Sequence, residues 1–225
     1  MANQGAAQEN PSAAGARSAH SQLRQEIVSG LLPPGSPVHE VALSNRMGLS
    51  RAPIRDAILR LEADGLVERG PRGTVVRTRT AEEIFDIYQA RIALEAEAAA
   101  TAAARASQLD LARLSMIHEE AASESDHAVE RQLHARWHRA LAVAARNLTV
   151  VELLERLTMQ LAPYETAYLA DTPNLSHTED EHGTLLAAIR EGDADGARRL
   201  MTVHLQRTRD VRVNALLRQE GVRPA

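Results

Sequence analysis

The sequence predicts a mostly α-helical protein in which three helices and a β-hairpin are joined to an all-α antiparallel helical bundle. Three observations predict this fold class. A short amphipathic helix with marked ends lies just after residue 50. Two strand-like runs around a Gly-Pro-Arg-Gly turn follow it directly. From about residue 80 onward the apolar spacing is helical, and the breaks between segments are short.

The composition excludes several classes of protein. No run of 18 or more apolar residues occurs in the 225 residues, so we expect no membrane-spanning helix. The N-terminus lacks the charged-then-apolar order of a signal peptide, and there are no cysteines, so we expect a cytoplasmic protein. Aromatic residues make up only 2%, which disfavours recognition of single strands or RNA loops by base stacking.

The charge is distributed unevenly along the chain. The net charge is −4, but residues 1–80 hold 10 arginines against 7 acidic residues. Residues 81–225 hold 16 arginines against 23 acidic residues. This asymmetry fits a small basic nucleic-acid-binding module carried by an acidic body.

The first elements come from composition and apolar spacing. Residues 1–17 are rich in Ala, Gly, Ser and Gln without periodicity, which predicts a disordered tail. A first helix is predicted from Ser18 to Gly30, where apolar residues recur every four positions. After a Pro/Gly turn, a short second helix ends at Gly48, and we expect its Val41, Leu43 and Met47 to face the interior.

The third predicted helix has signals at both ends. Ser50 is a natural N-cap, because its hydroxyl can accept a hydrogen bond from an amide one turn later, and Pro53 fits the first turn. Gly65 supplies the stop. One face is predicted to be buried because its apolar residues recur at i, i+3, i+4 and i+7: Ile54, Ala57, Ile58 and Leu61.

Two arginines occupy another face of the same helix. Arg51 and Arg55 are four residues apart, near the positive end of the helix dipole. They do not stabilise that end, but they suit a polyanion docked against it. This is the layout of a recognition helix in the DNA major groove. The alternative is an ordinary amphipathic helix with solvated arginines.

Two short strand-like runs, 66–69 and 74–77, follow this helix. With the three helices they predict a winged helix-turn-helix over residues 18–78, with Arg72 and Gly73 at the tip of the wing. A basic, flexible tip can lie against a phosphate or enter a minor groove. A solvated turn arginine is the alternative for Arg72.

Residues 79–220 are predicted to form an all-helical unit. Thr80 and Glu83 have the spacing of a capping box at its start. Short connections between the helices predict an antiparallel bundle, with one break at the DTPN turn (171–174). The helices are predicted near 81–104, 107–123, 127–145, 148–169, 176–191 and 193–217.

Four of the nine histidines have spacing that suits a metal site. His134 and His138 project from one face of a helix, because they are four residues apart. His182 and His204 lie in the last two helices, and a bundle can bring such residues to one depth. Four imidazoles suit Zn²⁺, Ni²⁺ or Cu²⁺ better than Ca²⁺ or Mg²⁺. The alternative is a solvated histidine pair. The other five histidines are assigned to the surface, although His177 is close enough to His182 to substitute for it.

Two further residues are candidates for a role in this unit: Trp137, between two of the histidines, and Arg91, in the first bundle helix. Trp137, between His134 and His138, is expected to pack in the core. An exposed Arg91 would pair with Glu95 one turn later for about 0.3 kcal/mol. A buried Arg91 would need an anion, and a ligand carboxylate would serve.

Several stretches resemble one known family. IVSGLLPPG, GLSRAPIRDAILRLEADGLVER and RGTVV resemble the N-terminal winged helix of GntR-family bacterial transcription factors. The helical remainder resembles the FCD-type ligand-sensing domain of the FadR subfamily. There IYQARIALE, WHRALA and EHGTLLAAIREGDADGARRLMTVHL come in the expected order. The resemblance extends over residues 20–217.

The resemblance implies a DNA-binding surface. It gives Ser50, Arg51, Arg55 and Gly73 DNA-contacting positions, and Val41 stands where some members have a contacting arginine. It implies a homodimer on a roughly palindromic double-stranded DNA operator.

The resemblance also implies a metal-dependent sensor. Many members bind a divalent metal with an aspartate and three histidines. His138, His182 and His204 match the three histidines, and His134 stands at the aspartate position, so a site without a protein carboxylate is expected. Zinc or nickel is the expected metal. A small organic acid is the expected effector beside it, with Arg91 assisting.

The sequence therefore predicts a transcriptional regulator, favours a repressor, and predicts no enzymatic activity. One alternative is a metal sensor in which the ion itself is the effector. Another is a histidine-rich helical metalloenzyme, which would lack a clearly placed carboxylate as general base. An acyl-CoA-binding regulator is disfavoured by the four histidines.

Overall fold

The computed structural model describes residues 11–168 and 173–219. The chain divides into two compact units, an N-terminal unit up to Thr78 and a C-terminal unit from Arg79. None of the described helices has the length and apolar character needed to cross a membrane. The described elements are α1 (Pro11–Val28), α2 (Glu40–Met47), α3 (Arg51–Ala63), β1 (Val67–Gly70), β2 (Gly73–Val76), α4 (Ala81–Arg105), α5 (Gln108–Ser123), α6 (His127–Ala144), α7 (Leu148–Tyr168), α8 (Pro173–Glu191) and α9 (Ala194–Gln219).

The predicted fold class is confirmed: three helices and an antiparallel hairpin precede an all-helical unit. The six predicted helices of that unit correspond to α4 to α9. The predicted DTPN break at 171–174 falls partly on residues 169–172, which lie outside the described residues.

Helix α1 begins earlier than the sequence predicts. It starts at Pro11, so the expectation of a disordered tail is wrong for residues 11–17, while residues 1–10 lie outside the described residues. Ala16 is 1% exposed, and a Cβ added at Gly15 would be 3.3 Å from the Leu49 side chain. The small residues that suggested disorder instead let α1 pack closely against its neighbours.

Helix α2 differs from the prediction at one apolar residue. Leu43 is buried, whereas Val41 is 50% exposed, so the expectation that Val41 faces the interior is wrong. The two residues are two positions apart and therefore point about 200° apart around a helix. Gly48, with φ of 65°, closes α2 in the left-handed conformation that favours glycine.

Helix α3 and the hairpin form as predicted in outline. All four apolar residues predicted to face the interior are buried: Ile54, Ala57, Ile58 and Leu61. Strands β1 and β2 pair in an antiparallel register that opposes Val67 to Val76 and Gly70 to Gly73. Pro71 and Arg72 form the two-residue turn between them, and both are exposed.

The C-terminal unit has well-capped helices around a core of small and aliphatic residues. Thr80 and Glu83 make both hydrogen bonds of the predicted capping box, and Ser107 and Asp110 make a second one at α5. Trp137 is 1% exposed, so the prediction that it packs in the core is confirmed. The core around it is formed by α4, α5, α6, α8 and α9.

Candidate functional site

The first residues of α3 present an exposed basic surface in the N-terminal unit. Arg51 and Arg55 are both exposed, because they lie one turn apart on a face of α3 beside its buried stripe. The Arg55 guanidinium donates to both carboxylate oxygens of Glu40, each at 3.3 Å. The Arg55 side chain is 68% exposed, so this pair contributes at most about 1 kcal/mol and leaves the arginine accessible.

Ser50 occupies the predicted N-cap position, but its hydroxyl makes no capping hydrogen bond. The expectation that this hydroxyl caps α3 is therefore wrong. Ser50 is exposed and extended, with φ of −67° and ψ of 167°, at an end where helix amides are open to an anion. At the hairpin, Arg72 and Gly73 are also exposed, and Gly73 has φ of 119°, which favours glycine.

A cluster of three histidines lies inside the C-terminal unit. One ring nitrogen from each of His138, His182 and His204 falls within 4.8 Å of the other two. The Nε2 atoms of His138 and His204 are 3.2 Å apart, and those of His182 and His204 are 3.4 Å apart. Tetrahedral ligands with metal bonds of about 2.0 Å are separated by about 3.3 Å. These nitrogens therefore have the spacing of metal ligands.

Two carboxylates orient this cluster from behind. The Nδ1 atom of His138 lies 2.6 Å from Glu95, and the Nδ1 atom of His204 lies 2.6 Å from Glu181. Ionised carboxylates accept hydrogen bonds, so each histidine donates its Nδ1 proton and keeps its Nε2 lone pair facing the cluster. This carboxylate–histidine arrangement is common behind metal ligands.

Burial favours the neutral form of two of the clustered imidazoles, those of His182 and His204. It lowers the pKa of His182 well below 6.5, and the charges of the neighbouring histidines lower that pKa further. Burial also lowers the pKa of His204 to about 4, although the hydrogen bond to Glu181 opposes it. For Glu181, burial raises the pKa, but hydrogen bonds from His204 and Arg207 outweigh it and lower the pKa to about 2. Neutral imidazoles are the form that binds metals.

His134 lies beside the cluster with a different contact. Its Nδ1 atom is 3.3 Å from Nδ1 of His182, the ring nitrogen that does not face the cluster. Its Nε2 atom is 3.5 Å from Oε1 of Glu130. Burial lowers the pKa of His134, and hydrogen bonding and charge from Glu130 oppose that shift. Trp137 stacks on the His182 ring at 4.2 Å between centroids, with 15° between the planes.

Arg91 is buried, and its anion is Glu95. The guanidinium Nε donates to the Glu95 carboxylate at 2.8 Å, and both residues are under 5% exposed. Burial raises the pKa of Glu95, but Arg91 and His138 outweigh it and hold that pKa well below its usual range. Arg91 thus helps to fix the carboxylate behind His138, and its predicted contact with an effector stays a prediction.

The sequence interpretation missed the carboxylates around the histidines. It expected no protein carboxylate, whereas Glu95, Glu130 and Glu181 all contact clustered or neighbouring histidines. Glu95 was weighed only as a partner of Arg91. The signals that could have found them are local: Glu130 precedes His134 by one helical turn, and Glu181 precedes His182 directly.

Of the other five histidines, all assigned to the surface, two are only partly exposed. The His20 side chain is 21% exposed, and its Nε2 atom lies 2.7 Å from Asp64, so its assignment is wrong. His127 and His177 are exposed. His118 was assigned to the surface, but its side chain is only 22% exposed and lies 3.7 Å from Glu179. The assignment of His118 is therefore wrong, because α5 turns that ring toward α8 rather than toward solvent: a Cβ added at Gly183 would be 3.2 Å from it.

Two family models match the chain. Residues 16–76 match the model described as bacterial regulatory proteins of the gntR family, and residues 86–207 match the FCD domain. The second match alone covers more than half of the chain.

Individual relatives and solved structures agree with these matches. The chain is 30% identical to the Escherichia coli K12 protein named "Putative L-lactate dehydrogenase operon regulatory protein", over 74% of this chain and 73% of that protein. It is 28% identical to the HTH-type transcriptional repressor GlaR of the same strain, over 81% of this chain and 89% of that protein. Among solved structures, E. coli McbR/YncC has the same fold, with a TM-score of 0.76 and 22% identity over 92% of this chain and 98% of that chain.

Proposed function

Because the chain belongs to the GntR family of bacterial transcriptional regulators and carries an FCD domain, we propose that it is a repressor controlled by a small organic acid bound beside a divalent metal. Relatives are named as regulators or repressors of transcription and not as enzymes. The proposal concerns the finer points: the sign of regulation, the metal, the effector and the homodimer.

The observation that carries the proposal is the convergence of three imidazole nitrogens inside the C-terminal unit. Glu95 and Glu181 accept hydrogen bonds from Nδ1–H of His138 and His204, so the Nε2 lone pairs of these two histidines face each other at 3.2 Å. Lone pairs at this distance repel unless a cation lies between them. A divalent metal held by His138, His182 and His204 would supply that cation and a Lewis acid for an acid carboxylate.

The N-terminal unit supplies the DNA contacts in this proposal. The exposed Arg51 and Arg55 read base edges or phosphates in the major groove, while Ser50 and the wing residues Arg72 and Gly73 contact the backbone. In a homodimer, two such units bind two half-sites of a palindromic operator. The effector acts through its differential affinity for the forms of the dimer that do and do not bind DNA.

The test combines metal analysis with operator binding. DNA fragments are first selected from a random library with the full-length protein. The protein is stripped of metal, reloaded with Zn²⁺ or Ni²⁺ and assayed by gel shift with a panel of hydroxy and dicarboxylic acids. L-Lactate comes first, because one relative is named for an L-lactate dehydrogenase operon.

We expect one metal ion per chain, and weaker operator binding when the right acid meets the metal-loaded protein. The double variant His138→Ala/His204→Ala should lose both the metal and the response to acid. His177→Ala, which removes an exposed histidine of α8, should keep both. A parent protein without metal by elemental analysis contradicts the metal site. A shift in DNA affinity caused by metal alone, without any acid, favours a metal sensor instead.

A further inference from the structure

The ion pair between Arg55 and Glu40 has a defined geometry on the surface of the N-terminal unit. Nε of Arg55 donates to one carboxylate oxygen of Glu40, and Nη2 donates to the other, each at 3.3 Å. These two nitrogens form one edge of the guanidinium plane, so Glu40 engages the arginine from the side. The pair joins the first residue of α2 to the second turn of α3.

This side-on contact leaves the outer edge of the Arg55 guanidinium available. A guanidinium carries five N–H groups, and Glu40 accepts one from Nε and one from Nη2. Among the described residues, only Glu40 accepts from Arg55. The three remaining N–H groups, on Nη1 and Nη2, form a second fork. A fork of this kind matches the O6 and N7 acceptors that guanine presents in the major groove.

Glu40 belongs to a helix that is held by its neighbours. Leu43, one turn after Glu40, is buried in the N-terminal unit. Near the other end of α2, Arg46 forms an ion pair with Glu26 of α1 at 2.7 Å. The Glu40 carboxylate therefore extends from an anchored helix, which is the kind of support that can fix a side chain on the neighbouring helix.

The two exposed arginines of α3 differ in their partners. Arg51 makes no ion pair among the described residues, whereas Arg55 is paired with Glu40. An unpaired arginine beside DNA is attracted to the phosphates, which carry the negative charge of the duplex. A paired arginine gains less from a phosphate, because the carboxylate offsets its charge and itself repels the phosphate. What remains to it is directional hydrogen bonding to base edges.

We infer that Glu40 is a positioning residue for DNA recognition: it holds the Arg55 guanidinium from the side, so that the outer edge reads a guanine and not a phosphate. This inference rests on the proposed DNA contact of Arg55 and adds the origin of its base preference. Glu40 lowers the affinity for DNA of every sequence, because it brings a negative charge near the phosphates, and it increases the discrimination between bases. The pair is weak in water, and it strengthens when bound DNA excludes water.

Glu40 also occupies a position that favours helix formation. It lies in the first turn of α2, where a negative charge interacts well with the helix dipole, and the N-cap residue His39 makes no side-chain capping hydrogen bond. A role limited to this effect would change the stability of the N-terminal unit. It would not change which base the protein prefers at one position. Base preference is therefore the measurement that separates the two roles.

The test selects DNA from a random library with the full-length protein and then measures affinity for the selected site and its single-base variants. We expect the parent to require guanine at one position of each half-site, and Arg55→Ala to lose that requirement. Glu40→Gln keeps the size of the side chain and removes its charge, so discrimination at that same position should fall about tenfold. Glu40→Asp keeps the charge but is one methylene too short to reach the guanidinium, and it should lower the discrimination as well.

A second measurement is the salt dependence of binding to DNA that lacks the selected site. Glu40→Gln frees Arg55 for a phosphate, so this binding should become stronger. Its slope of log K against log salt concentration should become steeper by about 0.9, the value for one added phosphate contact. Asp56→Asn is the matched control, because it removes the same charge from α3 while its carboxylate pairs with Arg60 and not with Arg55. This control should leave the preferred base unchanged.

The outcomes separate the inference from the proposed function. Unchanged discrimination in both Glu40 variants, with a loss in Arg55→Ala, overturns the inference while the DNA contact of Arg55 stands. The double variant Glu40→Gln/Arg55→Ala should have the base preference of Arg55→Ala alone. A further loss in the double variant would make Glu40 itself a base-contacting residue, which also overturns the inference. A selected site that is the same for the parent and Arg55→Ala contradicts the proposed contact and the inference together.

Discussion

At the scale of single residues, α3 shows how one helix serves packing and recognition together. Ile54 is fully buried, while Arg51 and Arg55 on either side of it in sequence are exposed. Arg55 forms an ion pair with Glu40, whereas Arg51 makes no ion pair among the described residues. Arg51 is therefore the sharper probe of DNA binding.

We expect Arg51→Ala to weaken operator binding by about tenfold or more without unfolding the protein. The reason is that the variant removes an exposed cation and no packing. Gel shifts at matched salt on library-selected DNA measure the effect, and circular dichroism checks the fold. Arg60→Ala is the matched control, because Arg60 is an exposed arginine at the other end of α3 and pairs with Asp56. Equal binding by parent and Arg51→Ala would reject the recognition-helix assignment.

A second residue-scale case is Asp110, whose carboxylate closes the capping box of α5. It accepts from the Ser107 hydroxyl at 2.6 Å and the Ser107 amide at 2.9 Å, and Arg146 lies 2.6 Å away. The hydrogen bonds from Ser107, with smaller help from Arg146, lower the pKa of Asp110 from 3.8 to about 2. Because the folded pKa lies below the unfolded one, this carboxylate stabilises the fold above pH 3.8, and that contribution is lost as the pH falls toward 2.

Asp110→Ala should therefore destabilise the protein by about 1 kcal/mol at pH 7, the usual cost of a lost helix cap. The gap between parent and variant should close as the pH falls from about 4 toward 2. Urea unfolding across this pH range measures both numbers. Glu119→Ala, an exposed substitution on the same helix, should show no such pH-dependent gap. A gap that stays constant with pH would contradict the role of the ionised carboxylate.

At the scale of elements, α1 is where local composition was most misleading. Its first turns are built from Ala, Gly and Ser, which carry no apolar stripe of large residues. Ala16 and Ala19 are nevertheless 1% exposed, and Gly15 lies against Leu49 and Pro53. A helix of small residues buries little area per residue, but it lets a neighbour approach closely.

Gly15→Leu tests this packing directly. A larger side chain at this position meets Leu49 within 3.3 Å, so we expect overpacking to destabilise the N-terminal unit by about 1–3 kcal/mol. Gly15→Ala is the matched control, since both variants gain the helix propensity that glycine lacks and differ only in the size of the side chain. Thermal unfolding of the two variants measures the difference. Equal stability would mean that residues 11–17 do not pack as the structure describes.

At the scale of the whole molecule, the two units differ in net charge and not in how their arginines are paired. Arg51 and Arg72 of the N-terminal unit are exposed and make no ion pair among the described residues, and the same holds for Arg105 and Arg113 of the C-terminal unit. The net charge of −4 combines an excess of three arginines in residues 1–80 with an excess of seven acidic residues in residues 81–225. The role of the first excess in DNA binding stays a prediction.

The sequence by itself determined the order and type of the helices and strands, the buried face of α3, the capping box at Thr80 and the family. These features depend on spacing along the chain, on turn residues and on contiguous motifs, all of which are local. Three of the four histidines that it singled out also lie together in the structure.

Only the tertiary structure decided which atoms of those histidines face one another and which carboxylates stand behind them. The contact of Glu95 with His138 joins residues 43 positions apart, and that of Glu181 with His204 joins residues 23 apart. His134 shares a helix face with His138, yet it turns to His182 and Glu130. Such contacts depend on how the helices pack against one another, because most of the partners lie on different helices. Spacing along the chain does not encode which ring atom faces which partner.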